Sequence, residues 1–392
     1  MEQQLDPKIN IDTEQGKMIA EILCQEIKNS RVKNKHYYSR CHRCENQYNQ
    51  ITKWMERNRV CDKPWEGAAL TEWTIDAVHA RVMSVLFSQE PFMTAIGVEG
   101  QDVDKAEGAT DFVDTVSREV THLVKNMRFF IKQMIKLPMA VMKYDWEEDV
   151  EDVITREKAQ VFVSPEGEEE YLLPDDDDAM MKSLELMTNG YQQSEETKDV
   201  WVSKPVELVN APVLKYIRSA DFVYSPYAKR DTRLYWEGDR FWITLADIKS
   251  RENQGKYIKG SYDKVRHNLD LDGKEGAEYA IASREALLEG YNVYGRLPFN
   301  KANEVDFEGT DTIEQEVHAV ISYKEQVVLQ LNFWSHSRLP YPDRVYLRQE
   351  FEETQDFLGR SLSEKLYQSQ KELNVLHNTI MNNAWIAMQK IF

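Results

Sequence analysis

Thiols are scarce in this chain. Four cysteines in 392 residues are too few for a disulfide framework, and the polar opening MEQQLDPKIN offers no apolar core for a secretion signal. The expectation is a protein with reduced thiols, assembled in a cytoplasm. Long apolar runs are missing too. The most apolar window, Val120 to Met142, is cut by Lys125, Arg128, Lys132 and Lys136, which excludes a membrane-spanning helix there. No Gly-rich Rossmann turn or P-loop can be matched, and there is no His-Glu-x-x-His and no Gly-x-Ser-x-Gly. The eight histidines (36, 42, 79, 122, 267, 318, 336 and 377) are scattered and read as surface or packing residues. These absences call for no cofactor and no resident metal, and they point away from an enzyme.

Positive charge is also short: 49 Lys and Arg stand against 67 Asp and Glu, a net charge of −18. The imbalance is local. Residues 31–60 hold eight bases and two acids, whereas residues 145–199 hold nineteen acids and four bases. A protein that grips duplex DNA through many phosphates has a basic face and a basic total, so tight general nucleic-acid binding is disfavoured. Contact with a duplex that must keep moving is not. What is present is a globular balance, 42% hydrophobic and 30% charged residues, enough to bury a sizeable core.

The hydrophobic pattern predicts a mixed α+β chain. Met18, Ile19, Ile22, Leu23 and Ile27 recur at helical intervals within a helical segment over residues 1–60. A turn at Asp62–Gly67 leads into a second helix over about 70–88, whose apolar stripe is Ile75, Val78, Val82, Val85 and Leu86. A short strand is expected over 92–98 and one amphipathic helix over about 105–135, with a basic side of Lys125, Arg128, Lys132 and Lys136. Strands are expected at 140–146, 153–163, 206–217, 234–243 and 317–333, and the polar segment 249–275 shows no clear period. Residues 61–340 thus form an α/β region with an acidic insertion at about 145–199.

The last stretch, 341–392, is a loop and a long helix. Ser361-Leu362-Ser363-Glu364 has the form of a capping box, in which Ser361 accepts from the Glu364 amide and Glu364 reaches back. Beyond it Leu362, Leu366, Leu373, Leu376, Ile380, Ala384, Ala387 and Ile391 step by three and four, with Gln370 on the same side. Such a helix would be about 43 Å long. Its other side carries Lys365, Gln368, Lys371, Asn378 and Asn382. The pattern is still running at Ile391-Phe392, so a continuation is expected.

Two chemical readings compete with plain architecture. Pro174-Asp175 followed by Glu196-Thr197-Lys198 has the letters of a Mg²⁺-dependent nuclease, two carboxylates for the metal and a lysine for the developing charge. That chemistry wants Asp175 and Glu196 on neighbouring strands, whereas 179–187 reads helical and the flanks read as solvated loop. Cys41, Cys44 and Cys61 with His36 would make a zinc set, but a second close pair is missing. Ordinary reduced thiols and a solvated acidic surface are the simpler readings.

Three stretches resemble the portal proteins of tailed bacteriophages. They are KPWEGAA (63–69) running into TEWTIDAVHARVMSVLF and QEPFMTAIGVE; residues 209–248, with Ser219-Ala220-Asp221-Phe222 and Thr244-Leu245-Ala246-Asp247; and residues 339–383, ending in the Gly-x-Ser-capped helix. Together they cover about half of the chain in portal order. The resemblance implies a ring of subunits, usually twelve, at one vertex of the capsid. Such a ring passes double-stranded DNA during packaging and ejection, docks the terminase large subunit, and meets the major capsid, scaffolding and tail adaptor proteins. It implies that 61–340 is a portal wing and that the helix from Ser361 is a first stem helix, with Lys365 and Lys371 as candidates to brush phosphates along the channel. The clip, the returning stem helix and a crown have no counterpart in this chain.

Overall fold

The computed structural model describes residues 13–51, 69–97, 100, 103–163, 169–172, 179–188, 191–229, 234–269, 287–300, 305–307, 312–334 and 345–389. The chain divides into two compact units, one of residues 1–146 and 212–392 and one of residues 147–211. Among the described residues no helix is long and apolar enough to cross a membrane.

In the larger unit, the spacing of Ile19, Leu23 and Ile27 makes one apolar face on helix α1 (Thr13–Lys33). That face is buried against an antiparallel sheet of β4 (Phe222–Tyr224), β5 (Trp236–Thr244), β6 (Leu287–Phe299), β7 (Ile313–Ser322) and β8 (Val327–Phe333), ordered as numbered. Alternation sends Val223, Trp236, Val293, Ala319 and Leu331 toward α1. β6 was not foreseen; it holds Gly290, Gly295 and Pro298, residue types that weaken a strand signal. Gly295 pairs across from Trp236, and a Cβ on it would lie 2.5 Å from the Trp236 Cβ. The close approach needs a bare Cα.

The other face of this sheet is partly polar. The first residues of β1 (Ala140–Val163) and β9 (Tyr346–Gln349) pair as a ribbon within a second, four-stranded sheet, with Lys143 opposite Tyr346. The ribbon meets the first sheet through Lys143 Nζ, 3.2 Å from Asp239, through Tyr346, which donates to Asp239, and through Arg348, 3.1 Å from Glu237. The expected strands at 140–146 and 153–163 are one strand, and the 206–217 strand is the end of β3 (Gln192–Ile217). The segment 249–275, which shows no period, contributes α7 (Leu245–Asn253), closed by a Thr244–Asp247 capping box, and α8 (Ser261–Asn268).

A helical block completes the unit: α2 (Lys35–Tyr48), α3 (Leu70–Leu86), α4 (Val103–Thr115), α5 (Leu123–Lys136) and the C-terminal helix α9 (Leu362–Gln389). Residues 94–97 have no regular structure, so the strand expected from 92 does not form there. The single helix expected over 105–135 is broken. Val116–Val120 winds as a π-turn, closed by Thr121 N–H to the Val116 carbonyl, and His122 takes a left-handed conformation with φ 47° before α5 begins. No Gly or Pro marks the break; a π-turn carries a surplus residue and is invisible to hydrophobic period. The basic side of that helix is divided as well. Lys125 and Arg128 are exposed, Lys132 pairs with Asp76 at 3.0 Å, and Lys136 is buried over the Tyr48 ring, where burial pulls its pKa down.

The smaller unit, 147–211, holds the distal part of β1, β2 (Glu169–Leu172), α6 (Ala179–Thr188) and the first part of β3. Gln160 to Val163 pair with Leu172 to Glu169, and Ala159, Val161 and Phe162 are buried. Nineteen acids against five bases give it a net charge of −14. Arg156 lies over the exposed Trp201 ring at 4.6 Å.

Candidate functional site

The N-terminal root of α9 is densely bonded to the rest of the helical block. The capping box forms as predicted: Glu364 N–H donates to Ser361 Oγ at 3.1 Å, and Ser361 N–H donates to Glu364 Oε2 at 3.1 Å. Arg40 of α2 reaches the same carboxylate with both arms at 2.7 Å and also donates to the Gly359 carbonyl at 2.6 Å. Burial alone would raise the Glu364 pKa, but the Arg40 bonds and the Ser361 amide hold it below the usual range. Gly359 is required here, since a Cβ would lie 2.2 Å from the Glu350 Cβ.

A second chain of bonds ties α9 to α2, α3 and α5. Gln47 donates to Thr71 Oγ1 at 2.8 Å and to the Ser363 carbonyl at 3.0 Å, and Ser363 Oγ donates to the Lys136 carbonyl at 2.8 Å. The N-cap position of α3 is Ala69, which has no side-chain acceptor. Its place is taken by Gln370 of α9, whose Oε1 accepts from Thr71 N–H at 3.0 Å and from Thr71 Oγ1 at 3.2 Å. α9 thus caps another helix, satisfying a donor that would otherwise be buried and unpaired. Sequence reasoning placed Gln370 on the apolar side but gave it no role; a glutamine amid leucines, with an alanine at a distant cap, was the available signal.

Beyond Gln370 burial tapers off, with Leu373, Asn374 and His377 half-buried. Residues 378–388 are all exposed, among them Ile380 (57%), Met381 (44%), Trp385 (56%) and Met388 (57%). At 3.6 residues per turn, Leu376 and Ile380 lie on one line, Met381, Trp385 and Met388 on a second roughly 125° away, and the equally exposed Val375 and Ile386 on a third between them on the far side. Such a spread is wider than one buried stripe requires. The apolar stripe read from the sequence is therefore buried only at its root, and other exposed apolar residues accompany it beyond.

The other sequence candidates lie elsewhere. Lys365 sits at the root, 2.9 Å from Glu352, and Lys371 is exposed on the first free turn. Asp175 and Cys61 lie outside the described residues; Glu196 and Lys198 fall on β3, Lys198 exposed. Cys41 and Cys44 are buried in the core, where burial pushes their thiols up to about 12 and about 11. Among the described residues no group of three or more potential metal-ligating side chains converges.

The chain matches the family model described as "Phage SU10 portal protein" over residues 70–390. It belongs to that phage portal protein family. The match begins at the first residue of α3 and takes in the sheet, the ribbon and α9, while α1 and α2 lie ahead of it. A search of the curated proteins finds no match. In this portal protein, then, the residues that root α9 come partly from inside the matched region (Thr71, Lys136, Ser361, Glu364, Gln370) and partly from α2 outside it (Arg40, Gln47). Nothing in the comparisons or the geometry supports the nuclease reading.

Proposed function

We propose that this chain is a non-enzymatic structural subunit that assembles with copies of itself into a ring in the phage head, with α9 forming wall around a channel for double-stranded DNA. The observation that carries the reading is α9 itself: held by three helices at one end, then exposed over 378–388, with apolar residues on more than one side. A helix between two identical neighbours needs two contact lines, one for each side, and a closed ring supplies both. Twelve helices at about 9–10 Å between axes enclose a circle about 36 Å across, and about 10 Å of helix thickness leaves room for a duplex. The net charge of −18 keeps phosphate contacts few, so DNA slides rather than sticks. Lys365 and Lys371 are the proposed exceptions that touch phosphate. The same ring would dock the terminase large subunit, the capsid and scaffolding proteins, and the tail adaptors. End-on electron micrographs of the purified protein are the test. Rings with a central hole are expected for the wild type, and folded monomers for Ile380→Asp/Trp385→Asp; wild-type particles that are solitary and unperforated would overturn the reading.

A further inference from the structure

The outward side of α2 differs in charge from most of the molecule. Lys35, His36, Ser39, His42 and Arg43 are exposed and Asn46 half-exposed. At 100° per residue they share about a third of the helix circumference, and that arc contains no acid. Glu45 falls off it. Among the described residues Lys35, His36 and Arg43 form no ion pair. Lys35 and His36 also stand in the first turn, where the helix dipole disfavours cations, and Asn34 supplies no side-chain cap. Next to them Val32 is 69% exposed. The opposite side of α2 is fixed: Tyr37, Cys41 and Cys44 are in the core and Arg40 is clamped to Glu364. The cations are therefore held out on a rigid support.

We propose that this face is a docking surface for the acidic side of a second copy of the chain. The argument is charge complementarity within one sequence. Of the net charge of −18, −14 sits in residues 147–211, so a neighbouring copy offers a concentrated negative surface in that unit. The α2 arc is a place where approach is attractive, with Ser39 and Asn46 among its cations and the exposed Val32 of α1 before its start. Duplex DNA is the poorer occupant, since the arc offers only a few cations where gripping a duplex takes many phosphate contacts. The proposal rests on the ring reading and adds a contact outside both α9 and the region shared with the family.

The test is Lys35→Glu/Arg43→Glu in the full chain, with assembly followed by mass photometry at about 0.05 M and about 0.5 M salt, between which the screening length falls several-fold. At low salt the variant is expected to need at least about tenfold more protein for half-assembly, and the gap should close at high salt. Its melting temperature should not fall, because Lys35→Glu places a carboxylate in the first turn of α2; a variant that loses both assembly and fold counts against the proposal. Equal assembly of variant and wild type at low salt overturns it while leaving the ring intact. So does a variant that assembles normally but loses retention of a duplex DNA oligonucleotide, which would assign the face to nucleic acid. A wild type that stays monomeric overturns both readings.

Discussion

The His318 ring lies flat on that of Tyr294, with centroids 4.3 Å apart, and its Nε2 is shut off from solvent with no partner among the described residues. Burial, with the nearby Lys143 ammonium, pulls its pKa down to about 4, against the opposing pull of Asp145 and Asp239. A histidine whose folded pKa lies below its unfolded value is neutral in both states at high pH and costs nothing there. As pH falls from about 6.5 toward 4 the unfolded chain takes up the proton first, so stability drops across that window and levels off below it. The loss should be about 2 kcal/mol, the ring's residual exposure reducing the full value of the shift. His318→Phe keeps the stacking and removes the proton site. Denaturant melts between pH 7 and pH 4 should show a shallower decline for this variant than for the wild type.

At the scale of elements, the cap that α9 lends to α3 carries a measurable load. Gln370→Leu preserves volume but leaves Thr71 N–H and the Gln47–Thr71 pair short of an acceptor in a buried place, and should cost about 1–3 kcal/mol. Gln370→Glu keeps an acceptor at a helix N-terminus and should recover most of the loss. Thermal melts of the two variants side by side check this. What the sequence disclosed follows the same logic of reach. α1, α3 and the start of α9 were legible because their signals are local: apolar residues at three and four, and a capping box within four residues. The partners of that box, Arg40, Gln47 and Thr71, were not, because they arrive from stretches roughly 300 residues away. β6 was hidden because two of its glycines are spaces for Phe241 and Trp236 rather than turns. The break at His122 was hidden because the π-turn before it leaves no mark on hydrophobic period.

For the molecule as a whole, the acidic unit is an insertion between two neighbouring strands: β1 leaves the larger unit at Trp146 and β3 re-enters it at Pro212. Replacing 147–211 by Asn-Gly, a turn suited to joining antiparallel strands, should leave the larger unit folded, with a melting temperature within a few degrees of the parent. The net charge would fall from −18 to −4. Circular dichroism melts decide it; loss of the cooperative transition would show that the two units do not fold separately. The rooting of α9 has its own large-scale result. From Gln370 to Met388 the helix runs about 27 Å, and its residues 378–388 are all exposed, so it behaves as a lever. Each degree of tilt at the pivot moves the tip by about 0.5 Å. The width of any aperture lined by these tips is thereby set at the far end from where the fixing is done, by a handful of hydrogen bonds from Arg40, Gln47 and Gln370.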